Sequence, residues 1–302
     1  MSSATMKAFC FAEPGKIEMR MKPIPTCGPT DALVKVHAST ICGTDVHIWR
    51  GEYPVRPGLT IGHEMLGEVV DVGEGVSGLK AGARVVCGAI TPCGTCYSCQ
   101  SGRGAQCGGT VTGGWRFGNL IDGCQAEYVL VPHAMANLAE VPPSLADEEV
   151  LMCCDILSTG ISGPERAHVK LGDTVAVFAC GPIGFGAIAG ARLMGASRIF
   201  GVSSNRARLA MARRMGVTDV VNYREIADCA KAIKEMTGGE GVDVAVECLG
   251  EQSTFQGCLE SLKPGGTLAS LGVYHQDLKI DLMAYGYGIG DIDIVSALCP
   301  GG

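Results

Sequence analysis

The sequence carries no basic run. Its 24 lysines and arginines are outnumbered by 31 aspartates and glutamates, for a net charge of −7 and a pI near 5.4. Binding nucleic-acid phosphates takes concentrated Lys and Arg, so that class of partner is not expected. Also missing is a long apolar run at the start: "MSSATMKAFCFAEPGK" reaches Glu13 and Pro14 early, which predicts neither a signal peptide nor a membrane anchor. The most apolar stretch, "VAVFACGPIGFGAIAGARLMG", is interrupted by glycines and a proline, with Asp173 before it and Arg192 near its end. It reads as a buried strand turning into a helix, not as a membrane span. Charged residues are scarce at 18 %, too few for a disordered chain, and no repeat or disordered linker is found.

What is present suits a folded protein of two domains: 302 residues, 47 % of them hydrophobic. Sixteen cysteines, most outside any spaced framework, fit a reducing cytoplasm better than a secreted disulfide scaffold. Four of them crowd "ITPCGTCYSCQSGRGAQC" as C-x2-C-x2-C-x7-C, at Cys93, Cys96, Cys99 and Cys107. A disulfide knot, a thiol redox pair and a metal site compete there; the compartment removes the first, and metal binding leads.

The first half reads as short strands ("DALVKVHAS", "EMLGEVVDVG", "ARVVCGA", "QAEYVLVP") broken by Gly and Pro, which predicts a β-rich domain over residues 1–156. Residues 139–163 turn helical, with an acidic first turn at Asp147, Glu148 and Glu149. From residue 173 strands and helices alternate, from "TVAVFAC" through "TLASLGVY" to a sixth strand in "DIDIVSALC". That succession predicts an α/β domain over 157–302, a doubly wound parallel sheet of the Rossmann kind.

"ACGPIGFG", residues 179–186, follows an apolar strand and opens a helix. Ala179, Gly181 and Gly184 give A-x-G-x-x-G: Gly181 for close backbone approach to a pyrophosphate, Gly184 for helix packing, with Pro182 and Ile183 between them. Alanine departs from the usual first glycine. About 20 residues on, where an NAD site carries an acid, stands Ser203 in "GVSSNRARL", followed by Ser204, Asn205, Arg206 and Arg208. Small hydroxyls leave room for a 2′-phosphate and guanidinium groups pair with one, so NADP is expected ahead of NAD. The plainer alternative is that these arginines only decorate an exposed helix. Cys42 in "ICGTDVHIW" and His63 in "IGHEMLGEV" are candidate zinc ligands, with Asp155 in "MCCDILSTG" as a third that nothing local separates from Cys153 or Cys154.

Taken together, "GHE", "CGTDVH", the four-cysteine loop and "GPIG" make the chain resemble the zinc-dependent medium-chain alcohol dehydrogenase family. "AITP", "GGWRFGNLIDG", "LGDTVAVFACGPIG" and "ALCPGG" are most similar to its bacterial NADP-dependent secondary-alcohol branch; "ICGTDVHIW" also looks like the threonine and polyol branches. The resemblance implies a GroES-like catalytic domain before the Rossmann domain, in a cytoplasmic homotetramer. It implies Cys42, His63 and Asp155 as catalytic-zinc ligands, Glu64 as a carboxylate beside the metal, and Asp45 orienting the His63 ring. Thr44 and His47 would form a proton relay and Trp115 a wall of the substrate pocket. Ser204, Arg206 and Tyr223 would surround the 2′-phosphate, and the cysteine loop would hold a structural zinc. The implied reaction is hydride transfer between an alcohol and NADP(H). The chain stops several tens of residues short of the family's usual end, so the C-terminal part of that fold is expected to be absent. A non-catalytic zinc- and nucleotide-binding relative is the rival expectation.

Overall fold

The computed structural model describes residues 4–300; Met1 to Ser3 of the opening stretch and the last two glycines of "ALCPGG" lie outside the described residues. The chain divides into two compact units, the second spanning Ile156–Leu298 and the first everything up to Asp155, rejoined by Cys299. The second expected domain ran to the last residue; instead Cys299 is buried with Phe11, Ile48 and Trp115, its thiol 3.8 Å from the Cys154 carbonyl.

The first unit opens with a hairpin that the sequence reading did not single out, β1 (Thr5–Glu13) and β2 (Lys16–Pro23), turning at Gly15. In β1, Met6, Ala8 and Cys10 are buried while Thr5, Lys7 and Phe9 face out, the period-2 alternation of a half-buried strand. A five-stranded antiparallel sheet follows, ordered β6-β3-β4-β5-β7, from β3 (Ala32–Ser39), β4 (Met65–Val72), β5 (Arg84–Cys87), β6 (Tyr128–Val131) and β7 (Leu138–Glu140). Val34, Met65, Val69, Val85, Phe117, Val129 and Val131 fill its core. The helix α1 (Gly43–Arg50) fills the connection between β3 and β4.

The helical stretch expected over 139–163 is interrupted. A turn at Asp147–Val150, its Glu149 carboxylate accepting the Ala146 N–H at 2.8 Å, leads into a tighter turn at Leu151–Cys154. Asp155 then leaves helical geometry at φ −145° before α2 (Ile156–Arg166). The break falls on a residue whose side chain is turned to the candidate site.

In the second unit a six-stranded parallel sheet is ordered β10-β9-β8-β11-β12-β13. Its strands are β8 (Thr174–Phe178), β9 (Arg198–Val202), β10 (Asp219–Val221), β11 (Val242–Glu247), β12 (Leu262–Ser270) and β13 (Asp293–Ser296). Between them lie α3 (Pro182–Leu193), α4 (Arg206–Met215), α5 (Cys229–Met236) and α6 (Gln252–Ser261). β12 starts at Leu262, earlier than the expected "TLASLGVY", because Leu262 already pairs with Val242; an irregularity over residues 263–266, with Gly265 at φ 76°, precedes the pairing of Thr267 with Val244. Both faces are covered: Val175, Val177, Val244 and Val246 pack with Ala187, Ile188 and Ala191, and Ala176, Phe178 and Ala245 pack with Phe255, Cys258 and Leu259. Near-continuous apolar strands are what a sheet buried on both faces requires.

The strand order reverses between β8 and β11, so the carboxyl ends of those strands open the crevice where such sheets bind nucleotides. Close packing there depends on glycine. A Cβ on Gly184 would come within 2.2 Å of the Ala179 carbonyl oxygen. Replacing Gly184 with Ala therefore forces the first turn of α3 away from β8, and a loss of about 1–3 kcal/mol is expected. Urea unfolding should show the midpoint falling at unchanged slope.

Candidate metal centres and cofactor cradle

Cys42 sits just before α1, His63 and Glu64 in the segment entering β4, and Asp155 at the helical break. The first unit's fold brings these four together across more than a hundred residues. His63 Nε2 lies 3.4 Å from Asp155 Oδ2 and 3.9 Å from Glu64 Oε1, and Cys42 Sγ lies 4.0 Å from Asp155 Oδ2. One ligand atom from each lies within 4.8 Å of the others. The ambiguity at 153–155 is resolved by geometry: Cys153 is exposed, and the Cys154 thiol is buried and donates to the Met65 carbonyl at 3.4 Å, leaving Asp155 facing His63.

The electrostatics of this cluster call for a cation. Burial pushes the Glu64 carboxyl up to about 7, and the neighbouring Asp155 charge adds to it. Among the described residues, neither Glu64 oxygen has a hydrogen-bond partner. Burial acts to lower the His63 pKa, but hydrogen bonds the ring donates to Asp155 and Cys42 outweigh it and hold it well above the usual histidine range. The anions around the ring demand positive charge, which a proton or a divalent ion at the same place supplies. A thiolate, an imidazole and carboxylates form a donor set suited to zinc, and a buried unpaired carboxylate is costly without such a counter-charge. Asp45 stands on the far side of the ring. Its Oδ2 accepts the Cys42 N–H at 2.8 Å and the Gln125 side-chain N–H at 3.3 Å, while Oδ1 lies 4.0 Å from His63 Nδ1. At that separation no hydrogen bond joins the two, and among the described residues neither atom has another partner.

Thr44 Oγ1 lies 3.6 Å from Cys42 Sγ, and His47 follows one turn along α1. His47 Nδ1 is 2.5 Å from Glu52 Oε2, a partner the sequence reading missed. The local signal was Gly51, which ends α1 in the left-handed region at φ 76° and folds Glu52 back, so that its N–H reaches the His47 carbonyl at 3.0 Å. Trp115 is buried edge-on to His63, with ring centroids 6.1 Å apart, and edge-on to Tyr53 at 4.9 Å; Tyr53 was also missed.

The four-cysteine loop gathers its thiols as well. Cys93, Cys96, Cys99 and Cys107 place their sulfurs within 4.8 Å of one another, with separations of 3.4 Å (Cys96–Cys99), 3.9 Å (Cys96–Cys107) and 4.0 Å (Cys93–Cys99). A disulfide needs about 2.05 Å. A tetrahedron with zinc–sulfur bonds of about 2.3 Å has edges of about 3.8 Å, which these separations bracket. Backbone N–H groups point at the sulfurs: Cys96 N–H at Cys93 Sγ (3.3 Å), Gly108 N–H at Cys96 Sγ (3.2 Å) and Cys93 N–H at Cys107 Sγ (3.4 Å). Hydrogen bonds from Thr95 and the Cys96 N–H pull the Cys93 thiol down to about 5, whereas burial and its sulfur neighbours push Cys99 up to about 12. The thiols are too close to ionise independently, as expected for a set shaped to share one cation.

In the second unit, Ala179 takes the left-handed conformation at φ 72°, which explains why glycine is usual at that place. Gly181 caps α3 and Pro182 is its first residue, so the helix N-terminus opens toward the turn with Ile183 and Gly184 just inside. Ser203, buried, and Ser204 follow the end of β9; Asn205 caps α4, whose first residue is the exposed Arg206. Tyr223, exposed, lies just past β10, which neighbours β9; the Ser203 N–H reaches the Val221 carbonyl at 3.1 Å. The turn, the helix N-terminus and the two serines suit a dinucleotide.

Comparison with known proteins defines the class first. The profile of the alcohol dehydrogenase GroES-like domain matches residues 28–143, and that of the zinc-binding dehydrogenase domain matches 182–295. An alcohol dehydrogenase of Cupriavidus necator is 53 % identical over 99 % of this chain and 85 % of its own length. An NADP-dependent isopropanol dehydrogenase of Entamoeba histolytica is 38 % identical over 99 % of this chain and 82 % of its own. The solved structure of zinc dependent alcohol dehydrogenase 2 from Streptococcus pneumonia superposes with a TM-score of 0.90 at 36 % identity, over 98 % of this chain and 83 % of that one. The chain belongs to the zinc-dependent alcohol dehydrogenase family, whose GroES-like and Rossmann-like domains it carries.

Two donor sets lead to a metal-content prediction. The purified protein should carry about two zinc ions per chain by elemental analysis, and Cys93→Ser should remove about one of them. The same variant should lower the thermal midpoint by several degrees, because a closed site contributes folding energy to its loop. One ion in the wild type and an unchanged midpoint in the variant would contradict the four-thiol site.

Proposed function

We propose that this alcohol dehydrogenase interconverts a secondary alcohol and its ketone with NADP(H), using one zinc at Cys42, His63 and Asp155 and a second at the four-cysteine loop. The observation that carries the reading is the convergence of Asp155 Oδ2 on His63 Nε2 at 3.4 Å and on Cys42 Sγ at 4.0 Å. The paired serines after β9 and the likeness to an NADP-dependent isopropanol dehydrogenase support the cofactor and the substrate class. Sixteen free cysteines fit a reducing cytoplasm, the resemblance carries a homotetramer, and no described helix is long and apolar enough to cross a membrane.

When bound, zinc supplies Lewis acidity that lowers the pKa of an alcohol oxygen, and NADP supplies a hydride acceptor. The chain's residues do the rest. Cys42 and Asp155 would hold the metal with anionic donors and His63 with Nε2, while Asp45 places negative charge on the Nδ1 side of the ring. Glu64, with Oε1 3.9 Å from His63 Nε2, would be a further carboxylate donor beside the metal. The Thr44 hydroxyl can accept a proton and donate one at once, which a relay needs. His47, braced by Glu52 at Nδ1, takes the proton outward. The Trp115 ring excludes water beside His63.

Two measurements test this reading. In turnover assays with 2-propanol, threonine and a polyol against both cofactors, 2-propanol with NADP should give the highest kcat/KM; a preference for threonine or the polyol would reassign the substrate. Ser203→Asp places a carboxylate where the 2′-phosphate is expected, so the ratio of kcat/KM for NADP over NAD should fall by about tenfold or more. An unchanged ratio would remove the serines from cofactor choice.

A further inference from the structure

Glu247, the last residue of β11, is a fully buried carboxylate that neither metal centre uses. Its Oε1 accepts the Leu249 N–H at 2.8 Å, the Gly250 N–H at 3.0 Å and the Thr254 hydroxyl at 2.6 Å. Its Oε2 accepts the Gly250 N–H at 3.1 Å and the Tyr274 hydroxyl at 2.9 Å. The Tyr274 hydrogen is thereby committed, so the Ser270 hydroxyl, 2.9 Å away, donates to the Tyr274 oxygen. One side chain therefore ties the turn after β11 and the start of α6 to the segment after β12. Glycines let the two segments close on it. Gly250 sits at φ 93°, where a Cβ would come within 2.3 Å of the Val273 carbonyl oxygen, and a Cβ on Gly272 would come within 2.4 Å of Glu247 Oε2. A turn that only reverses the chain is made by glycine without such a device. A carboxylate enclosed in a sheet is costly unless several donors meet it, and here all of them are neutral groups of these two segments.

The place of this brace in the sheet gives it a use. The glycine turn follows β8, and Ser203 and Ser204 follow β9 on one side of it; β11 and β12 lie on the other side. A dinucleotide with its pyrophosphate at the β8 turn and its adenosine over β9 extends its nicotinamide half over the ends of β11 and β12. Glu247 is in register with Phe178, the last residue of β8, and the Cys248 N–H donates to the Phe178 carbonyl at 3.1 Å, so the braced turn stands beside the glycine turn. We propose that Glu247 is a positioning residue for the nicotinamide half of the cofactor: by locking the segments after β11 and β12 together, it holds the backbone against which that half binds. This role rests on the nicotinamide-cofactor reading above and holds for NADP or NAD alike. Among the described residues the carboxylate makes no hydrogen bond to residues 179–184 or 203–206, so the adenosine half should not feel its loss.

The test is binding, with no turnover involved. The zinc-loaded full chain is titrated calorimetrically with NADPH and with 2′,5′-ADP, which lacks the nicotinamide half, and likewise with NADH and 5′-AMP. For the dinucleotide that wild type binds more tightly, Glu247→Gln should weaken it by about fivefold or more and leave the matching fragment unchanged, because an amide sets its own N–H groups against the donors. Tyr274→Phe cuts only the tie to the segment after β12 and should give a smaller loss of the same kind. Retained fragment binding reports that a variant is folded; where Glu247→Gln does not fold, Tyr274→Phe alone decides. An equal loss for dinucleotide and fragment, or an unchanged dinucleotide affinity in either variant, overturns the role of Glu247 while the cofactor reading stands. A wild type that prefers NADH contradicts the NADP reading and leaves this test in place; one that binds neither dinucleotide overturns both.

Discussion

Burying several anionic groups in one place is the constraint around which the first unit is arranged. Asp45, Glu64 and Asp155 surround His63, with the Cys42 thiol beside them, and His63 and Glu64 are almost fully enclosed. Such a cluster is stable only if positive charge enters it, because each unpaired buried carboxylate costs several kcal/mol, roughly. The fold supplies the geometry, and a proton or a divalent ion can supply the charge. Helix α1 sets Cys42 and Asp45 in place, the loop into β4 sets His63 and Glu64, and the break at 155 turns the last donor inward.

The second unit is built differently: among the described residues, its glycine turn and the starts of α3 and α4 gather no buried opposite charges. It relies on backbone: Gly181 at the start of α3, Ala179 in a left-handed conformation, and the N–H groups at two helix starts. At the rim stand Ser203 and Ser204 after β9 and the exposed Arg206 and Arg208 at the start of α4. Helices α2 and α3 meet so closely that a Cβ on Gly160 would lie 2.6 Å from Gly186 Cα. That contact ties the phosphate turn to the rest of the sheet's upper layer.

Much of this was legible before folding. Spaced cysteines, glycines after an apolar strand, and the sequences around Cys42 and His63 each carry a chemistry that few other arrangements use. The parallel sheet with helices on both faces, and its series of strands ending in a sixth, followed from alternating patterns; their order in the sheet did not. The hairpin β1–β2 was not singled out, since the reading took up its strands only from "DALVKVHAS". The start of β12 was missed because Pro264 and two glycines look like a turn, and residues 263–266 do form an irregularity, Gly265 taking φ 76°, between the pairing of Leu262 with Val242 and that of Thr267 with Val244.

The sequence by itself determined the fold class, the two-part organisation and the donor types, because periodicity and ligand spacing are local properties of a chain. Tertiary structure alone decided which of Cys153, Cys154 and Asp155 faces His63, and that Glu52 braces His47. Those choices depend on where a side chain points after distant segments meet. A break in helical geometry at one residue leaves no mark in the order of the letters.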